Sequence, residues 1–201
     1  SAFVVIEGRV SPDWYDKLHL TPFGEVMPYI SQSQWLEQRL LSLGANGMEF
    51  VLDPGNEPRN LAVPVHDLGG DAISLATPIC FEATTSSVCR KLVSQDGQRK
   101  AGVMVNMTND GWFSDSRGGR LSHFQNARWR CIELATPMIR CANTGISGVI
   151  DHRGQVVDTT IRPLRDDPLE GHLIGQVKLG NGLTPFARYG DLFGWITLLL
   201  T

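Results

Sequence analysis

The sequence is poor in the features that would exclude the most. Its four cysteines, Cys80, Cys89, Cys131 and Cys141, form no C-x-x-C pair, which removes a zinc ribbon and a thioredoxin-type motif from consideration. Disulfides are not needed by a chain of 201 residues with 42% hydrophobic residues, which is long enough for one domain with a sizeable core. The 18 basic and 21 acidic residues are mixed along the chain and leave a net charge of -3. There is thus no basic stripe for nucleic acid and no acidic tail. An initiator Met and a charged-then-apolar signal segment are also missing: Ser1 leads directly into the strand-like Ala2-Phe3-Val4-Val5-Ile6. The expectation is a chain that starts in the middle of a fold.

What is present alternates between strand and helix patterns. Residues 2–15 predict two strands joined by a turn at Glu7-Gly8. The stretch Thr21-Pro22-Phe23-Gly24-Glu25 then makes a shaped loop. Residues 33–43 carry apolar positions at helical spacing up to Gly44, and residues 44–70 are rich in Gly and Pro, with room for two short strands. A helix is expected from Thr84 to Leu92. The continuous apolar run from Ala101 to Met107 predicts a strand covered on both faces, ending in a polar turn at Thr108-Asn109-Asp110-Gly111 and the aromatics Trp112 and Phe113.

Leu121, Phe124, Ala127, Cys131 and Leu134 mark an amphipathic helix stopped by Pro137, with His123 a capping or packing residue at its start. Further strands are expected at 138–141, 147–151, 155–160 and 173–178, with turns at 142–145 and 152–154. Buried strands alternating with crossover helices, and hairpins at the edges, predict an α/β fold with a mixed sheet. From Gly190 to Thr201 the chain turns apolar. That end is expected to be either a packed terminal helix or the first half of a membrane span, with Tyr189 and Trp195 at interfacial positions favouring the span.

The candidate chemistry centres on Leu75-Ala76-Thr77-Pro78-Ile79-Cys80-Phe81-Glu82. Taken alone, a cysteine in an apolar run is ordinarily a small buried hydrophobe. On an extended strand, however, Cys80 and Glu82 project to one face and Phe81 to the other, and a helix starting just beyond favours a thiolate. A cysteine nucleophile needs a base and donors for an oxyanion. Lys17 can supply positive charge, the Phe81 N–H a second donor, and Glu25 can hold the lysine. Asn109 and Trp112 are candidates for the pocket wall.

Three spaced motifs carry a resemblance. Tyr15-Asp16-Lys17-Leu18-His19-Leu20-Thr21-Pro22-Phe23-Gly24-Glu25, Pro78-Ile79-Cys80-Phe81-Glu82 and Val105-Asn106-Met107-Thr108-Asn109-Asp110-Gly111-Trp112-Phe113 closely resemble the nitrilase superfamily, and within it the carbon–nitrogen hydrolase domain of the apolipoprotein N-acyltransferases. His123 to Arg128 and Arg140 to Ser147 are similar to the same branch. The resemblance implies a nitrilase-like αββα sandwich, incomplete at its N-terminus, over residues 1–188. Residues 189–201 would then begin a transmembrane or terminal apolar helix. It also implies a Glu-Lys-Cys catalytic set in which Cys80 is the nucleophile and Lys17 stabilises the oxyanion. Glu25 is the additional glutamate beside that lysine, and Glu82, with Phe81 next to it, is a supporting residue.

The implied reaction is acyl transfer. Cys80 takes a fatty acyl chain from a phospholipid as a thioester and passes it to the N-terminal amine of a diacylglyceryl-cysteine lipoprotein. The implied location is the periplasmic face of a bacterial inner membrane, with no metal, organic cofactor or nucleic acid involved. Two departures stand out. The triad glutamate of the family lies upstream of the positions matched here, so the isolated chain is expected to be nearly inactive, because loss of a general base costs ~10²–10⁴-fold. Phe81 also replaces the tyrosine more often found after the nucleophile, an expected packing change. The competing readings are a soluble nitrilase-type amidase, which has no use for the apolar end, and a non-catalytic relative, which has no use for Lys17, Glu25 and Cys80 together.

Overall fold

A computed structural model describes residues 1–22, 25–26, 52–65, 71–113, 116–159 and 173–200. The helix expected over 33–43 lies outside the described residues, as do 44–51 and 66–70 of the loop-rich stretch that follows it. Strands β1 (Ala2–Ile6) and β2 (Arg9–Tyr15) form an antiparallel hairpin. Glu7 and Gly8 both have positive φ, the backbone that a tight hairpin turn requires. Strands β3 (Leu61–Pro64) and β4 (Ala72–Ala76) follow, then a 3₁₀ turn (Cys80–Thr84) and helix α1 (Ser86–Val93). A minimal hairpin, β5 (Ser94–Gln95) and β6 (Gln98–Arg99), turns at Asp96-Gly97, again with positive φ at both residues.

The chain then enters β7 (Val103–Asn109), a second 3₁₀ turn (Asp110–Phe113) and the long helix α2 (Arg117–Leu134). Ser116 caps α2 by accepting from the Gly119 N–H at 3.2 Å. Ala135, in the left-handed region, ends it two residues before Pro137. Strands β8 (Met138–Asn143), β9 (Gly148–Ile150) and β10 (Val156–Thr159) come next, and helices α3 (Pro185–Tyr189) and α4 (Leu192–Leu200) close the described chain.

Six strands share one mixed sheet in the order β10-β9-β8-β7-β4-β3. The central β4, β7 and β8 run parallel and the flanking pairs antiparallel. Each parallel step is made by a crossover that carries a 3₁₀ turn and then a helix, which is the arrangement of an α/β fold. Helices α1 and α2 pack on the sheet and on each other. Cys89, Leu92, Val93, Phe124, Ala127, Cys131 and Leu134 bury themselves against Ala76, Met104, Met138 and Ile150.

The other face of the sheet is more open. In β7 and β8, Met107, Asn109, Ile139 and Cys141 are exposed while their alternating neighbours are buried. The run through β7 is therefore covered on one face among the described residues, rather than on both. The strand expected at 173–178 does not form: those residues have no regular secondary structure. The terminal apolar stretch does form a helix, α4, but none of its residues is buried, and Phe193, Trp195, Leu198, Leu199 and Leu200 face outward. Among the described residues, no helix is long and apolar enough to cross a membrane.

Candidate active site

The site lies where the sheet's parallel centre meets the β1–β2 hairpin. After β4 ends at Ala76, Ile79 makes a single bridge to Met107, and the chain then leaves the extended path. Cys80 takes φ 50°, a left-handed conformation that costs a residue with a side chain of the order of 1–3 kcal/mol. The expectation that Cys80 and Glu82 share a strand face is overturned here. The polypeptide turns at Cys80 into a 3₁₀ helix, so Glu82 folds back under the turn instead of projecting beside the thiol.

Glu82 is fully buried and satisfied on both oxygens. One accepts from the backbone N–H of Leu18 at 2.7 Å and of His19 at 3.0 Å, the other from the N–H of Ile79 at 2.7 Å, and the Tyr15 hydroxyl sits within 3.0 Å of both. Both carboxylate oxygens are thus occupied by donors from three segments. The role of Glu82 is structural: one side chain ties the segment carrying Lys17 to the turn carrying Cys80. Burial, reinforced by the Glu82 charge, raises the Tyr15 phenol far above its ordinary range, so it remains a neutral donor. The His19 and Phe81 rings stack at 6.0 Å between centroids, a second contact between the same two segments.

Lys17 is 8% exposed, and its ammonium donates to Glu25 Oε2 at 2.5 Å and to Thr21 Oγ1 at 3.2 Å. The Thr21 N–H also donates to Glu25 Oε2, at 2.7 Å, and the Glu25 N–H returns to the Thr21 carbonyl at 2.8 Å. The shaped loop thus closes a small ring around the lysine. Burial of Glu25 opposes its charge, but the hydrogen bonds from Lys17 and Thr21 outweigh this and hold the carboxyl below its ordinary value. The Lys17 carbonyl is fixed by the Gly55 N–H at 2.7 Å. A Cβ on Gly55 would lie 2.5 Å from the Asp16 carbonyl, so only glycine allows the approach.

Behind the Cys80 turn lies a buried polar cluster whose residues sit in the resembling segments but were given no joint role by the sequence. Asn106 and Arg140 are paired residues of β7 and β8 on the helix-covered face, and Arg140 donates to the Asn106 side-chain oxygen at 2.5 Å. Arg140 also donates to both oxygens of Asp110 at 2.9 Å and to the Ile146 carbonyl at 3.1 Å. Asp110 further accepts from Thr108 at 3.1 Å and meets His123 Nδ1 at 2.9 Å. Its own burial works against ionisation, yet His123 and Arg140 keep its carboxyl below the ordinary range. A Cβ on Gly145 would sit 2.2 Å from Asp110 Oδ2, so the Asn143-Thr144-Gly145 turn closes directly over this carboxylate.

His123 matches its expected packing role, while Asn109 and Trp112 lie further out. Asn109 accepts from the Gly111 N–H at 3.0 Å and from Thr144 at 3.2 Å, which shapes the turn after β7, and Trp112 is 63% exposed. Among the described residues, no three His, Cys, Asp or Glu side chains group to hold a metal ion.

No protein-family model matches the chain. Curated relatives do. It is 33% identical over 180 residues to an apolipoprotein N-acyltransferase of Geobacter metallireducens, covering 90% of this chain and 30% of the relative. It is 40% identical over 143 residues to the one of Rhizobium meliloti (71% and 24%), and 30% identical over 200 residues to the one of Thermotoga maritima (98% and 34%). The chain therefore spans about a third or less of these relatives' length. Among solved structures it is similar to a carbon-nitrogen hydrolase from Helicobacter pylori (15% identity, TM-score 0.43, 55% of this chain and 42% of that one). A CN-hydrolase superfamily protein from Xanthomonas campestris matches at 18% identity and TM-score 0.46, over 76% and 49%. Over the residues matched, the chain is similar to the apolipoprotein N-acyltransferases.

Proposed function

We propose that this homologue of the apolipoprotein N-acyltransferases carries the nucleophile of an acyl transfer from phospholipid to lipoprotein. The observation that carries the reading is the Glu82 tie: one buried carboxylate holds the backbone beside Lys17 and the backbone beside Cys80 together. Lys17, its charge balanced by Glu25, lies next to the backbone that Glu82 ties to the Cys80 turn, which supports an oxyanion role for it.

In the first half-reaction the Cys80 Sγ, its proton taken by a general base, attacks the ester carbonyl of the phospholipid. A C–S bond forms, the C–O bond breaks, and the lysophospholipid leaves as an alcohol after taking up a proton. In the second half, the N-terminal amine of the diacylglyceryl-cysteine lipoprotein attacks the thioester. The C–N amide bond forms, the C–S bond breaks, and the thiol regains its proton. Lys17 and the Phe81 N–H donate to the oxyanion in both halves. The exposed apolar helix α4 suits a protein working at a lipid surface, on the periplasmic face of the inner membrane, with residues 189–201 entering the bilayer.

The test is mass spectrometry of the full-length protein after incubation with phospholipid vesicles. A fatty-acyl adduct on Cys80 that hydroxylamine removes is expected. Adducts from small amides alone would replace this reading with an amidase.

A further inference from the structure

The buried cluster behind the Cys80 turn ends on the peptide that joins Cys80 to Phe81. Asn106 is fully buried, and the orientation of its amide is decided by its neighbour, since a guanidinium has only donors and Arg140 must therefore face the amide oxygen. That leaves the Asn106 Nδ2 donating to the Pro78 carbonyl at 2.7 Å and, more loosely, to the Cys80 carbonyl at 3.4 Å. Arg140 cannot turn away, because Asp110 and the Ile146 carbonyl hold its other nitrogens.

The Cys80–Phe81 peptide is trans, and no cis peptide bond occurs among the described residues. In a planar trans peptide the carbonyl and the following N–H point in opposite directions. A donor that holds the Cys80 carbonyl on one side therefore aims the Phe81 N–H on the other. The carbonyl so contacted belongs to a residue in the left-handed conformation, Cys80 at φ 50°.

We propose that Asn106, aligned by Arg140 and Asp110, is a positioning residue that aims the Phe81 N–H at the oxyanion and holds the turn presenting Cys80. The proposal rests on Cys80 being the nucleophile. It predicts an effect on the bond-making step and none on the binding of the acyl donor, which Asn106 does not reach from behind the turn.

The test compares wild type with Asn106→Asp in the full-length protein. Asn106→Asp keeps the shape and an acceptor for Arg140 but removes the donor. The rate of Cys80 acylation is followed by mass spectrometry over a range of phospholipid concentrations, with the thermal midpoint as a check on folding. The saturating rate is expected to fall about ten-fold, roughly the loss of one hydrogen bond, with the half-saturating concentration unchanged within about two-fold. An unchanged rate, or a change confined to half-saturation, overturns the proposal. Asn106→Ala, which buries no new charge and leaves Arg140 on Asp110, is the second variant should Asn106→Asp not fold, with the same outcomes expected. If wild type itself takes no acyl group, the nucleophile reading fails separately, and hydrogen exchange of residues 79–84 decides the positioning. Faster exchange confined to that turn in the variant supports it, and unchanged exchange overturns it.

Discussion

Two ion pairs flank the Cys80 turn, and they differ in what surrounds them. Lys17 and Glu25 sit at the front, in a loop that folds back on itself over eight residues, with Glu25 21% exposed. Arg140 and Asp110 sit behind, both fully buried, and join the end of β7 to β8 across thirty residues. The front pair is partly open, with Glu25 reaching solvent beside a largely buried ammonium. The rear pair has every group committed: Asp110 to Arg140, Thr108 and His123, and Arg140 to Asp110, Asn106 and Ile146. A partly open pair can act on a substrate, whereas a closed one can act only on the protein.

That contrast is broken most directly from the rear. Asp110→Asn leaves the buried Arg140 charge without its counter-ion, and the loss of one partner from a buried pair costs about 3–5 kcal/mol. A large fall in the urea midpoint is expected, and a midpoint within experimental error of wild type would make the two pairs equivalent. Lys17→Met should do the reverse. Its effect on stability is expected to be small, and Cys80 acylation by phospholipid should slow by about 10²–10³-fold, the usual loss for one oxyanion donor. If Lys17→Met instead destabilised the protein as Asp110→Asn does, the front pair would be structural.

The smallest effect lies in acid. Both carboxyls are held below their ordinary values, 4.5 for Glu25 and 3.8 for Asp110. A group whose folded pKa is lowered contributes stability that is fully present above its unfolded value and is lost as pH falls through the folded one. Wild-type stability should therefore begin to fall as pH drops below about 4.5. Lys17→Met should flatten the upper part of that decline and Asp110→Asn the lower part, in urea melts at successive pH values. Two curves parallel to wild type would show that neither pair is linked to acid unfolding.

Local pattern was enough for much of the architecture. The Glu7-Gly8 hairpin, the helix ending before Pro137 and the strands at β7, β8, β9 and β10 follow from periodicity and turn chemistry that act over a few residues. The Asp96-Gly97 hairpin carried an equally plain turn signal that the surrounding polar residues obscured. What was not legible depends on residues far apart. Extended alternation put Cys80 and Glu82 on one face, but Tyr15, Leu18 and His19, more than sixty positions away, draw Glu82 under the turn instead. Arg140 and Asp110 look like ordinary polar residues until the register of β7 and β8 buries them together. The irregular path of 173–178, apolar enough for a strand, gave no such warning.

The Glu82 tie also has a consequence in time. The β1–β2 hairpin is local and can form within about 1–10 μs, but Tyr15 and the following Leu18 and His19 bond a carboxylate on the turn after β4, the strand that pairs in parallel with β7. Parallel pairings of this kind close long loops before they gain contacts, and they form slowly. This order predicts that the segments carrying Lys17 and Cys80 join late in folding, which pulsed hydrogen exchange would read as late protection of the Leu18 and His19 amides.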